Sequence, residues 1–255
     1  MFTLARLARA ESPLEVSGVL LGTEEDVQVR VQIRNTSEAR LRDARVEGDL
    51  LGRHADGALG DIEPGHVSSV VLTFPFASEW RPGRHVLPLA IDCEAPPGSL
   101  PSRTQLLAYL VLPLAATAEP TLRVTAPPVG LDIHTLLRVR LESADGQPHR
   151  ARVRVVTPPG LVAPDPPAVV DVPARGEVMV EVALRHGAAP PNSRHGILIL
   201  AEALEGPIER MAVATSIVDI APDPAWLPHL RAPLVVLTLV LLLAGGLAER
   251  QRTSS

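Results

Sequence analysis

The residues able to do chemistry are few and scattered. Eight histidines (His54, His66, His85, His134, His149, His186, His195 and His229) share the chain with one cysteine, Cys93. No two histidines stand two or four positions apart, so no strand or helix presents a ready pair of imidazole ligands. A single cysteine excludes an intrachain disulfide and any zinc site built on thiolates. Cys93 itself reads as a small buried apolar residue within a strand. No glycine-rich phosphate loop, HExxH helix or GxSxG elbow occurs. No nucleophile can be paired with a base, so the sequence points away from an enzyme and implies no cofactor and no metal.

A few side chains remain as candidates for binding. Arg138, Arg140, Arg150, Arg152 and Arg154 crowd two strand-like stretches. On neighbouring strands they would form an outward basic ladder for an acidic lipid or a carboxylate-rich partner. On the second and third strands of an immunoglobulin-type sandwich they would be split between sheets. Trp80, in the loop-like segment Ser78-Glu79-Trp80-Arg81-Pro82, is the best single aromatic contact residue; the alternative is packing over the end of a sandwich. Glu24-Glu25-Asp26 reads as a solvated turn rather than a calcium site, which needs oxygens converging from several loops. Asn35-Thr36-Ser37 matches a glycosylation sequon and also ends a strand. His85 and His195 each follow an arginine at the start of a strand. They read as edge or rim positions, with a ligand-binding or pH-sensing role as the alternative.

The elements that must carry these residues are strands. Val27, Val29, Val31 and Ile33 alternate with Gln28, Arg30, Gln32 and Arg34, the pattern of a strand with one buried face. Further strands are expected at 14–20, around Ala44-Arg45-Val46, and at 67–74, 84–93 and 105–112, with residues 59–65 read as a turn. The pattern then recurs. Leu137, Val139 and Leu141 repeat the alternation of Val27, Val29 and Val31, and Arg152-Val153 answers Arg45-Val46. Gly176-Glu177-Val178 answers Gly65-His66-Val67, and Arg194-His195 answers Arg84-His85. A repeat near 110 residues has the length of one immunoglobulin-sized domain, so a tandem duplication is expected. The short small-residue linker at 113–120 favours a fixed angle between the copies.

Near the end, residues 232–248 form a seventeen-residue run without charge, between Arg231 and Glu249. As a helix it spans roughly 25 Å, just short of a hydrocarbon core of about 30 Å. Leu234 and Leu243 lie inside it, Trp226 stands where an interfacial aromatic would lie, and Arg231 and Arg250 flank it. The expected organisation is an all-β chain with two tandem immunoglobulin-like β-sandwiches and a single C-terminal transmembrane α-helix. Its parts are a leader at 1–12, sandwiches at 13–114 and 120–220, a proline-rich stalk at 221–231, the anchor at 232–248 and a tail at 249–255. The leader contains the A-x-A pattern Ala8-Arg9-Ala10 but no preceding apolar run, so it reads as the possible remnant of an export signal.

Composition sets the class of partner. The chain has 255 residues and a net charge of −5, and its basic residues are all arginine. No segment other than the C-terminal one is basic, which argues against nucleic acid. The Pro/Gly turn Glu63-Pro64-Gly65-His66-Val67, the Asn-ended strand 27–35 and Pro82-Gly83-Arg84-His85 resemble bacterial Ig-like modules of cell-envelope proteins, of the CARDB and NEW3 types. That resemblance, over roughly residues 14–220, implies a β-sandwich, an envelope setting and an adhesive or scaffolding role without catalytic residues. The expected function is a single-pass membrane protein that displays two Ig-like domains for protein–protein contact. The alternative is an accessory or ligand-binding subunit of an envelope enzyme or transport complex. Its partners would be membrane lipid and a protein, with no evident small-molecule substrate. Arg250 and Arg252 against Arg231 favour an extracytoplasmic position for the sandwiches and a cytoplasmic tail; a tail anchor with cytoplasmic sandwiches is the alternative.

Overall fold

The computed structural model describes residues 14–22, 26–76, 80–94, 103–115, 118–164 and 166–222. The proposed anchor and its markers Trp226, Arg231, Leu234, Leu243 and Arg250 lie outside them, as do the leader, His229, Glu24 and Glu25. No helix among the described residues is long and apolar enough to cross a membrane.

Every regular element among these residues is a strand. The first seven are β1 (Leu14–Leu20), β2 (Asp26–Asn35), β3 (Leu41–Leu50), β4 (Arg53–Ile62), β5 (Val67–Pro75), β6 (Gly83–Glu94) and β7 (Arg103–Leu114). They pair as β1-β2-β5 and β4-β3-β6-β7. Alternation fixes which side chains go inside. Val27, Val29, Val31 and Ile33 of β2 are buried between the two sheets with Val46, Leu72, Phe74, Leu89, Ile91 and Leu110. A one-residue slip of β2 would turn its whole valine row into water, so the register is strongly held.

Nine further strands follow. They are β8 (Leu122–Thr125), β9 (Val129–Leu131), β10 (His134–Ser143), β11 (His149–Val156), β12 (Leu161–Val162), β13 (Ala168–Val172), β14 (Glu177–His186), β15 (Arg194–Ala203) and β16 (Glu209–Ile220). The same pairing order returns: β8-β10-β14 with β12 at the edge, and β13-β11-β15-β16 opposite. A second buried cluster forms from Leu137, Val139, Leu141, Val153, Val182, Ile197, Ile199 and Val218. Strands from one sheet facing strands from another around an aliphatic core make these Ig-like domains.

Two local features depart from the sequence reading. Residues 59–62 belong to β4 rather than to a turn. β4 follows β3 through the two-residue loop Leu51-Gly52, with φ of 53° and 81°, a primed hairpin turn. Leucine in the left-handed region hides that turn from a search for Asn-Gly or Asp-Gly; Asp49 Oδ1 supports it by accepting from Gly52 N at 3.0 Å. The second difference is between β1 and β8. β1 pairs with β2 along seven residues, whereas β8 pairs with β10 along only four. Pro127 and Pro128 then end the strand, because proline cannot donate to a ladder. The chain crosses to the opposite sheet, where β9 runs parallel to the end of β16, with Val129 beside Val218 and Leu131 beside Ile220. Ser216 Oγ donates to the Pro127 carbonyl at 2.7 Å and holds the crossing.

The two sheets that contain β6 and β16 are continuous. β16 joins β6 in parallel at Glu209–Gly83 and Arg210–Arg84. The outer faces of β6 and β15, which would meet water in an isolated sandwich, are buried there: Val86, Leu200 and Met211 form a third apolar cluster, packed by Tyr109, Val156 and Val213.

Candidate functional site

The junction between the two cores gathers the most deeply buried ionisable groups among the described residues. Gly83 makes the approach possible. Its φ of +137° is accessible to glycine, and a Cβ there would lie 2.2 Å from the Glu209 carbonyl oxygen. Glu209 N donates to the Pro82 carbonyl at 2.8 Å, and Arg84 Nε donates to the Met211 carbonyl at 3.0 Å. Backbone therefore meets backbone directly, with no side chain between.

Arg81 closes the rim. Its Nη2 lies 2.9 Å from Glu202 Oε1 and 2.5 Å from Glu209 Oε2, and its Nη1 donates to the Gly206 carbonyl at 3.2 Å. A guanidinium suits this place because its planar fork serves several acceptors at once. Arg152 Nη1 reaches the other oxygen of Glu202 at 3.0 Å. Glu209 has a side chain only 4% exposed, and its Oε1 has no hydrogen-bond partner. Burial pushes the Glu209 carboxyl above its ordinary range, the neighbouring Glu202 adds to this, and Arg81 opposes it.

His85 sits just behind Arg81 and is fully buried. Its Nε2 donates to the Arg81 carbonyl at 2.8 Å, since a carbonyl only accepts. Nδ1 is left as a buried lone pair without a partner. Burial holds the imidazole below its usual pKa, so the ring is neutral at pH 7. The reading of His85 as an edge or rim group is thus corrected: it lies on the inner face of β6 with Leu87 and Leu89, opposite Leu112 of the first core. His195, its counterpart, is half-buried. The Ser193 hydroxyl donates to the Pro190 carbonyl and accepts from His195 Nε2 at 2.7 Å. His195 is also shifted down, by burial and then by His186.

The other predicted residues are dispersed. Trp80 is 9% exposed and belongs to the first core, with its ring edge-on to Phe76 at 5.7 Å; the packing alternative describes it, and Phe76 is the exposed member of the pair. Arg138 and Arg140 lie on β10, and Arg152 and Arg154 on β11, in different sheets, so no common basic ladder forms. Arg138 pairs with Glu181, and Arg140 with Glu142 and Glu177, each in water. Arg154 is half-buried opposite Leu200. Cys93 is buried, and burial raises its thiol pKa. Asn35 is fully buried and its amide is committed: Nδ2 donates to the Ala39 and Ile62 carbonyls, while Oδ1 accepts from Ser37 N and Oγ. The sequon is a strand-ending turn, with no amide left for a glycan.

One charged cluster was invisible to residue spacing. A bulge in β3 places Asp43 at φ 43°, beside Arg103 of β7 and Asp92 of β6. Arg103 Nη1 and Nε reach Asp43 and Asp92 at 2.8 and 2.9 Å, and the Arg103 hydrogen bond holds Asp43 below its usual pKa. No group of three or more His, Cys, Asp or Glu able to hold a metal occurs among the described residues. The junction can clamp two cores together; it presents no nucleophile with a base beside it.

The junction has a sequence signal of its own. Residues 85–91 (HVLPLAI) and 197–201 (ILILA) are nearly unbroken apolar runs. A strand with one wet face alternates; a strand buried on both faces does not. Those two runs mark the strands whose outer faces meet.

No family model matches the sequence, and no curated protein matches it. Among solved structures, trypsin-activated α2-macroglobulin from Escherichia coli is similar at 10% identity and a TM-score of 0.32, covering 82% of this chain and 18% of that one. A protein of unknown function from Porphyromonas gingivalis W83 is similar at 16% identity and a TM-score of 0.31, covering 82% of this chain and 100% of that one. Red sea bream transglutaminase is similar at 13% identity and a TM-score of 0.27, covering 82% of this chain and 32% of that one. The chain spans less than a fifth of the α2-macroglobulin it matches. At scores this low the Ig-like assignment rests on the strand pairing described above.

Proposed function

We propose that the protein is a non-catalytic, membrane-attached scaffold that holds two Ig-like domains at a fixed angle for contact with protein partners. The observation that carries this reading is the use made of the buried charged groups. Arg81, Glu202 and Glu209 are committed to the joint between the cores, where they pair with one another. A rigid joint favours a part whose task is to set distance and direction. The uncharged run 232–248 supports attachment to a bilayer. On this reading the domains face the extracytoplasmic side and residues 249–255 the cytoplasm, following the arginine bias.

The test is membrane fractionation combined with a reporter at the C-terminus. The expected result is retention in the membrane pellet after an alkaline carbonate wash, with a reporter active only on the cytoplasmic side. Release by carbonate would remove the anchor, and an externally active reporter would reverse the orientation. A hydrolytic or transfer activity in purified protein that a single substitution abolishes would contradict the non-catalytic reading. Recovery of an envelope enzyme or transporter as a stoichiometric partner would instead favour the accessory-subunit role.

A further inference from the structure

The loops at the two ends of the second domain differ in charge. At one end stand the β9–β10 turn, residues 132–133, the β11–β12 connection, residues 157–160, and the β14–β15 loop, residues 187–193. Backbone hydrogen bonds gather them. His186 N donates to the Ile133 carbonyl at 2.9 Å, Gly187 N to the Gly160 carbonyl at 2.8 Å, and Ile220 N to the Ser193 carbonyl at 2.8 Å. Gly160 permits the closest approach: at its φ of +90° a Cβ would lie 2.5 Å from Ala189 N.

Surface loops are ordinarily polar. Here TPPG at 157–160 and GAAPPNS at 187–193 carry no charge, and the turn has Asp132 alone. At the opposite end, loops 144–148, 173–176 and 204–208 hold Asp145, Arg175 and Glu205. Ile133, at the tip of its turn, is 71% exposed, the highest value among the exposed large apolar side chains of the described residues. Val162, just after the 157–160 connection, is 52% exposed and pairs with Arg185 of β14. A lone exposed isoleucine is ordinary on a protein surface; this one shares a charge-poor end with Val162.

The same end is where the chain leaves the fold. β9 runs parallel to the end of β16, with Leu131 beside Ile220, so the Asp132-Ile133 turn stands next to the exit. Eleven residues, 221–231, separate Ile220 from the uncharged run at 232, and Trp226 is six positions beyond Ile220. Fully extended, six residues span roughly 20 Å. A bilayer that takes in the uncharged run is within reach of these loops, and that selects the occupant: a lipid interface receives apolar side chains from a surface without charge. The described charges at this end are Asp132 and Asp219 against Arg185 and Arg194, with His134 and His186 beside them. Arg194 is paired with Asp219, so no basic patch draws this end to anionic lipid.

We propose that this end of the second domain rests on the bilayer, with Ile133 and Val162 inserted among the lipid headgroups. The contact is apolar and needs no anionic lipid. It deepens the membrane attachment proposed above and rests on it; carbonate resistance reports the attachment, and the depth of a label at the loops reports the contact.

The test reconstitutes the full chain in neutral phosphatidylcholine vesicles whose acyl chains carry a quencher. In a Cys93→Ala background, a fluorophore is placed at Ile133→Cys, at Val162→Cys or, at the opposite end, at Gln147→Cys. Quenching at Ile133→Cys and Val162→Cys is expected to exceed that at Gln147→Cys by about threefold or more. Adding Ile133→Asp is expected to cut quenching at Val162→Cys by about twofold or more, with the thermal midpoint unchanged. Equal quenching at both ends, or quenching that appears only with anionic lipid, would overturn the proposal. A chain that resists carbonate yet shows no quenching at Ile133→Cys and Val162→Cys would overturn it alone. Release of the chain by carbonate would overturn it together with the anchor.

Discussion

His85 and His195 occupy the same place in two copies of one pattern, each after an arginine at the start of a strand, yet they live in different surroundings. His85 is sealed on the inner face of β6 behind the joint, with one nitrogen bound to the Arg81 carbonyl and the other unpartnered. His195 keeps partial access to water and leans on Ser193. Their arginines diverge in the same way. Arg84 donates to the Met211 backbone across the joint, while Arg194 pairs with Asp219 on the surface at 2.7 Å. The local sequence is alike; what differs is what lies against it. A strand start becomes a joint only where glycine lets another backbone come close, as at Gly83, and where the outer face is apolar, as at Val86.

The comparison can be broken most sharply at Gly83. Gly83→Val places a Cβ against the Glu209 backbone, which no side-chain movement relieves, and the predicted loss is ~3 kcal/mol or more in denaturant unfolding. Ser193, its positional counterpart, is predicted to tolerate alanine with a loss of about 1–2 kcal/mol, the hydroxyl's two hydrogen bonds to Pro190 and His195. Next in size is Arg81→Ala. It leaves Glu209 buried without its cation, and a loss of about 3 kcal/mol is expected by chemical denaturation. Leu200→Ala opens a cavity in the third cluster; about 2–4 kcal/mol should be lost, and unfolding should separate into two transitions as the cores uncouple.

The pH dependence sharpens the same contrast. His85 has a folded pKa below its unfolded value, so the neutral ring contributes stability that is present above about pH 6.5 and is lost as pH falls below it. The slope is limited to about 1.4 kcal/mol per pH unit for one proton. His85→Gln is predicted to flatten this acid-side slope in a pH series of unfolding curves. His195→Gln should flatten it less, because that ring keeps access to water. Glu209 works in the opposite sense: its raised pKa favours the folded state when protonated, an advantage lost as pH rises through the folded pKa. Smallest of all is Arg138→Ala, whose exposed pair with Glu181 is expected to contribute under about 0.5 kcal/mol in a thermal melt.

Much of the β architecture was legible because half-buried strands alternate. Val27 to Ile33 and Leu137 to Leu141 declare their faces without reference to the rest of the chain. β4 was not legible: its turn uses Leu51 where a primed hairpin favours Asn or Asp, and its glycine-rich sequence looks like loop. Pairing β10 and β11 in different sheets, the immunoglobulin order, anticipated the split of the arginine set. The depth of Trp80 and His85 was not recoverable from their neighbours in sequence. His85 is buried on the inner face of β6, opposite Leu112 of β7, a pairing that its neighbours in sequence do not announce. The clue present was lost alternation in HVLPLAI and ILILA, which has meaning only when both runs are seen as outer faces of adjoining sheets.

The central claim is that the two cores form one rigid unit through the Gly83 joint. Spin labels at Glu47→Cys on β3 and Arg185→Cys on β14, in a Cys93→Ala background, report the distance between the domains by pulsed electron resonance. A single narrow distance distribution is predicted, broadening in Gly83→Val. A distribution already broad without that substitution, and unchanged by it, would contradict the account.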